Sequence, residues 1–92
     1  MFEFDLSEDF RKVLGKISKK DPIMAQAIGR KIKEIVARDT VSINSYKNLR
    51  HDLKNLKRVH ITQWLVMTFE VNVAKNFILF VQIASRDNVY RR

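Results

Sequence analysis

A chain of 92 residues fits one small domain, and 46% apolar residues with two Gly and one Pro make it globular in composition, neither disordered nor fibrous. It contains no Cys, which excludes disulfide staples, thiolate zinc sites and cysteine nucleophiles. The formal charge of +8 is unevenly placed: residues 1–46 carry nine Lys and Arg against seven Asp and Glu, whereas residues 47–92 carry nine against three. A C-terminal half that basic suits a phosphate-rich or acidic partner.

Phe2, Phe4 and Leu6 alternate with Glu3 and Asp5, the period of a short strand. Ser7 then suits a helix N-cap, and Glu8 and Asp9 suit the positive end of the helix dipole. Phe10, Val13, Leu14 and Ile17 follow at helical spacing, and Lys19 and Lys20 suit the negative end, so a helix is expected over residues 8–19. Asp21-Pro22 opens a second helix, with Asp as the cap and Pro at the first helical position. Met24, Ala27, Ile28, Ile32, Ile35 and Val36 form its stripe, and it is expected to end near Arg38. So short a link makes the two helices a hairpin. Residues 39–48 have no strong period and read as a loop.

From Leu56 the period changes to that of strands. Residues 56–61 alternate. Residues 64–71 are almost continuously apolar, as in an inner strand covered by helices. Residues 72–76 read as a turn, and residues 77–84 as another buried strand. The order of strand, two helices and three strands predicts an α+β domain over residues 1–92. A helical hairpin packs on one face of a mostly antiparallel sheet, and the other face is left as a curved basic surface.

The segment Met1-Phe2-Glu3-Phe4-Asp5 lacks the basic-then-apolar order of a secretory signal. No apolar run approaches the roughly 20 residues that span a bilayer. The expected location is the cytoplasm, with no membrane partner.

There is no Gly-rich phosphate loop and no nucleophile elbow. With two His and no Cys, no metal site is expected. The informative constellation is basic: Lys47, Arg50, His51, Lys54, Lys57, Arg58, His60, Arg86, Tyr90, Arg91 and Arg92. Alternation puts Arg58, His60 and Thr62 on one strand face and Lys57, Val59 and Ile61 on the other. Arg beside His suits a phosphodiester, because guanidinium forks onto phosphate oxygens and imidazole moves a proton near neutral pH. Cleavage of RNA requires a base for the 2′-hydroxyl, cations for the crowded phosphorane and an acid for the leaving oxygen. Trp64 is either a core residue or a platform for a base. Arg58 and Arg86 are alternatively solvated charges, or partners of Asp52, Glu70 or Asp87.

Four runs carry a resemblance: Tyr46-Lys47-Asn48-Leu49-Arg50, Leu56-Lys57-Arg58-Val59-His60-Ile61, Leu65-Val66-Met67-Thr68-Phe69-Glu70-Val71, and Phe80 to Tyr90 with its Arg86-Asp87-Asn88-Val89-Tyr90 ending. In these runs and in the order of elements the chain resembles the RelE/ParE toxin superfamily, over nearly its whole length. The run His51-Asp52-Leu53 followed by Arg58-Val59-His60 also resembles the YafQ-like branch, whose histidines serve as acid and base. One departure stands out: RelE carries an arginine on the central strand where this chain has Val66.

The resemblance implies a two-layer RelE-like fold and a toxin of a toxin–antitoxin pair that cuts messenger RNA in the ribosomal A site without metal or cofactor. It implies that Arg86 stabilises the transition state and that Tyr90 stacks on a base or assists proton transfer. Arg58 and His60 are the strand's basic pair, and Arg50 binds phosphate. His60 is the first choice for general base, with His51 or Tyr90 as acid. Lys47, Lys54, Lys57, Trp64, Arg91 and Arg92 complete the set expected to hold RNA. The implied partners are a RelB-like antitoxin, bound as a hetero-oligomer, and the ribosome with its messenger RNA. Two alternatives stay open: a ParE-like poison of DNA gyrase without nuclease activity, and a noncatalytic RNA-binding domain.

Overall fold

The computed structural model describes residues 1–46 and 56–85. Its elements run β1 (Glu3–Leu6), α1 (Glu8–Lys20), α2 (Pro22–Val36), a single 3-10 turn (Ser42–Ser45), β2 (Leu56–His60), β3 (Leu65–Asn72) and β4 (Phe77–Ser85). Among the described residues the sheet has four strands in the order β1-β4-β3-β2. The α+β class expected from the sequence is the class observed.

Local chemistry sets the boundaries. The Ser7 hydroxyl accepts from the Phe10 N–H at 3.0 Å, capping α1, and donates to the Val81 carbonyl at 2.7 Å. One side chain thus starts a helix and ties it to β4. Asp21 does comparable double duty. Its N–H closes α1 onto the Ile17 carbonyl at 2.7 Å, and its carboxylate caps α2 by accepting from Met24 N at 3.0 Å. Pro22 fits the first turn because no intrahelical partner is needed for its missing N–H. A single residue therefore separates the helices and forces the hairpin.

α2 ends at Val36, two residues before the expected end. The loop that follows is more ordered than its sequence suggests. The Asp39 carboxylate accepts from Ser42 N at 2.7 Å and from Val41 N at 3.1 Å, and this opens the 3-10 turn. These N–H groups, Ser42 first, hold the Asp39 carboxyl below its ordinary value. The turn drops Ile43 into the core at 0% exposure. Tyr46 follows it, its ring edge-on to Phe69 at 5.6 Å between centroids.

Strand pairing places the core on one side of the sheet. β1 pairs parallel with β4, and β2–β3 and β3–β4 are antiparallel. Met67, Phe69 and Val71 of β3 and Ile78, Phe80 and Ile83 of β4 pack in one cluster with Phe10, Ile28, Ile32 and Ile35 of the helices. Phe80 is the hub: Phe4, Phe10 and Phe69 all lie within 5.9 Å of it, centroid to centroid. Between Thr68 and Phe69 the β3–β4 register slips. Thr68 faces Gln82 and Phe69 faces Phe80, so Val81 has no opposite number, and its carbonyl is the one that Ser7 takes.

The β3–β4 connection uses Asn76 in the left-handed region, φ 53°. Asn tolerates that conformation better than most residues with a Cβ. Its Nδ2 also donates to the Met1 carbonyl at 2.9 Å, fastening the chain start to the turn.

The turn between β2 and β3 takes Trp64 out of the strand that its apolar run suggests. Ile61 N donates to the Leu65 carbonyl at 2.8 Å, and Thr62 Oγ1 accepts from both Trp64 N and Leu65 N at 3.2 Å. The backbone there is committed to a tight turn, so β3 starts at Leu65. Among the described residues, no helix is long and apolar enough to cross a membrane.

Candidate functional site

Strand alternation and register bring two of the four described candidate residues, Arg58 and His60, into one small area. Arg58 and His60 project from β2 on the side away from the helices. Across the sheet, His60 faces Val66 and then Ala84; Arg58 faces Thr68 and then Gln82. His60 is exposed and Arg58 half-buried. The row beyond holds Leu56, Glu70 and Leu79. The resulting patch has a cation and an imidazole along one strand, with a hydroxyl and an amide at the level of the guanidinium.

This face is not open throughout. Val66 and Thr68 are 0% and 1% exposed, yet Val66 stands outside the core cluster. The centre of the second face is therefore closed, while Arg58 is half-buried and His60 and Glu70 are exposed around it. Thr68 and Gln82 were not singled out from the sequence, because only the register shows which strand positions lie level with Arg58. The same pairing gives the Val66 departure a place: it is the direct cross-strand neighbour of His60.

Lys57 takes the other side. Opposite Phe69, it is 7% exposed, and its ammonium donates to the Tyr46 carbonyl at 3.3 Å. Burial lowers its pKa from the ordinary 10.5, since desolvation disfavours the charged form. Lys57 and the Arg58–His60 pair thus lie on opposite faces, as alternation predicts.

Trp64 joins neither group. It is 67% exposed at the β2–β3 turn and lines an apolar groove with residues of α1 and α2. Arg38 and Tyr46 make a further cation–aromatic contact, guanidinium carbon to ring centroid 4.9 Å, which the sequence did not signal. The remaining candidates, His51, Arg86 and Tyr90 with Lys47, Arg50, Lys54, Arg91 and Arg92, lie outside the described residues. Among the described residues, no group of three or more His, Asp or Glu is arranged to hold a metal ion.

No family model matches the chain. A search of curated proteins gives a Methanocaldococcus jannaschii relative named "Putative toxin RelE4", 37% identical over 92 residues, spanning 100% of this chain and 94% of that one. Among solved structures, a metal-bound toxin from Helicobacter pylori superposes with a TM-score of 0.76 at 18% identity, covering 96% of this chain and 98% of that one. YafQ from Escherichia coli BL21(DE3) superposes with a TM-score of 0.71 at 10% identity, covering 98% and 99%. At those identities the solved structures speak for the fold, and the archaeal relative speaks for the family. The strand, helical hairpin and mostly antiparallel sheet, together with a full-length relative at that identity, establish that this chain belongs to the RelE-like toxins of the RelE/ParE superfamily.

Proposed function

We propose that this protein is the toxin of a toxin–antitoxin pair and acts as a ribosome-dependent endonuclease on messenger RNA. The observation that carries the reading is the pairing of Arg58 and His60 on one accessible side of β2, away from the helices. Guanidinium presents a fork of donors to phosphate oxygens and stays charged at any working pH. An imidazole two residues along reaches the same phosphodiester. His60 takes the proton of the 2′-hydroxyl, the 2′-oxygen attacks phosphorus, and the bond to the 5′-oxygen of the next nucleotide breaks. The products are a 2′,3′-cyclic phosphate and a 5′-hydroxyl, whose proton comes from the general acid, His51 or Tyr90. Arg86 adds the second positive charge on the phosphorane, and Arg50 and Lys54 hold the backbone. Cationic side chains in this role supply the charge stabilisation that other nucleases draw from metal ions. The ribosome positions the messenger, which a site this small does not do alone. A cognate antitoxin is the partner that restrains the activity, and the cytoplasm is where the substrate is found.

The test is translation of a defined messenger in a cell-free ribosome system, with cuts mapped by primer extension. Wild type is expected to cut at ribosome-occupied codons. His60→Ala and Arg86→Ala are each expected to lose roughly 100-fold or more in rate, and Arg58→Ala to lose less. Intact messenger beside wild-type protein would overturn the reading.

One observation favours a second reading. Val66, buried directly opposite His60, takes the place of a central-strand arginine and leaves the patch one cation short. A ParE-like gyrase poison would not need that arginine. Trapped gyrase–DNA cleavage complexes, with messenger left intact, would mark that outcome.

A further inference from the structure

One exposed side chain beside the Arg58–His60 pair takes no part in cleavage. Glu70 of β3 stands on the same face, and the register sets it between Leu56 of β2 and Leu79 of β4. Both leucines are half-buried, and neither packs with the core cluster on the helix side. Arg58 and Glu70 are diagonal neighbours across β2 and β3, which places them about 7–8 Å apart on the sheet. No ion pair joins them, and the Glu70 carboxylate has no hydrogen-bond or ion-pair partner among the described residues. Asp5, across from Leu79 on β1, differs: its carboxylate is taken by the Arg11 guanidinium and by the Leu6 N–H at 2.8 Å.

An ionised carboxylate only accepts hydrogen bonds, and it repels phosphate. Beside a guanidinium that holds the RNA backbone, it suits a neutral part of the nucleotide that is rich in donors, which is a base edge. Guanine alone carries two adjacent donors on its Watson–Crick edge, N1–H and the N2 amino group, and a carboxylate takes both in a fork. Adenine and cytosine set a ring-nitrogen lone pair beside their one amino group. Uracil sets a carbonyl on each side of its one N–H. Each of the three therefore turns an acceptor toward the carboxylate. Leu56 and Leu79, on either side of Glu70, offer apolar surface to the ring faces. We infer that Glu70 selects guanine, reading the base that adjoins the phosphate held by Arg58, an inference that rests on the nuclease reading of this face.

Binding of the four ribonucleoside 3′-monophosphates to the intact protein, followed by nuclear magnetic resonance, tests it without cleavage. The guanine nucleotide is expected to bind roughly tenfold more tightly than the other three, the discrimination of one bidentate base contact. Glu70→Ala is expected to erase that difference by weakening the guanine nucleotide alone. Glu70→Gln, which keeps one acceptor, is expected to retain a small part of it. Arg58→Ala is expected to weaken all four alike, as loss of a phosphate contact does. In the ribosome system, wild-type cuts are expected to be enriched beside guanine, and Glu70→Ala to lose the enrichment. Retained far-ultraviolet dichroism checks that each variant is folded. The inference is overturned if wild type binds the four nucleotides equally or not at all, or if Glu70→Ala keeps the guanine preference. It is equally overturned if Glu70→Ala tightens all four alike, which would mark a charge that merely repels. Guanine selectivity that depends on Glu70, found beside intact messenger, would sink the nuclease and leave the base site standing.

Discussion

The two faces of β2 and β3 are made of alternate residues of the same strands, and they solve different problems. On the helix side, Met67, Phe69 and Val71 join Phe80 and the helices in a shared core, and even Lys57 is drawn in, its ammonium turned to a backbone carbonyl. On the other side, Arg58 and His60 keep contact with solvent beside a small buried centre of Val66 and Thr68. The first face is specified by packing, where volume and shape decide. The second presents charged and polar side chains to solvent, where volume and shape constrain them less. A strand with period two serves both because neighbouring residues answer to different environments.

That contrast can be broken most forcefully at the hub of the packed face. Phe80→Ala removes the ring that Phe4, Phe10 and Phe69 share, and is expected to cost about 3–5 kcal/mol by urea denaturation. Cleavage per folded molecule should persist. Ser7→Ala removes the α1 cap and strips the Val81 carbonyl of its side-chain partner, and about 1–2 kcal/mol should be lost in the same measurement.

Lys57 tests whether the packed face tolerates its charge. Its folded pKa lies below the ordinary 10.5, so the folded state releases the proton first as pH rises. Stability from this group is therefore expected to be lowest below the folded value and to increase through the window up to 10.5. Denaturation midpoints between neutral and alkaline pH should rise with pH in wild type relative to Lys57→Met. Parallel curves would remove the burial argument. The smallest change in stability belongs to the second face: His60→Ala should shift the midpoint by no more than about 0.5 kcal/mol, while abolishing most messenger cleavage. A large loss of stability at His60 would show that the face is held by packing after all.

Much of this was legible in the sequence, and the reasons are specific. Ser7 and Asp21-Pro22 announce the helices because capping is local chemistry, written in adjacent residues. The stripes of α1 and α2 and the apolar runs of β3 and β4 follow from period alone. What was hidden depends on partners distant in sequence. The apolar run beginning at Trp64 reads as strand, but Thr62 draws the backbone of Trp64 and Leu65 into a turn. The shift opposite Val81 and the burial of Ile43 have no local signature. The alternation of Arg58 and His60 was readable, whereas their neighbours Thr68 and Gln82 required the register.

The parallel pairing of β1 with β4 has a consequence for the making of the protein. The ribosome makes Glu3–Leu6 about seventy residues before the strand they pair with, Phe77–Ser85. β4 is also the strand that joins β1 to β3, so the sheet stays in two pieces until it arrives. Pairing so remote in sequence is slow to form, since closing a long loop costs entropy before any contact rewards it. A nascent chain still short of β4 cannot assemble this sheet, so its two pieces are joined only once translation has passed that strand.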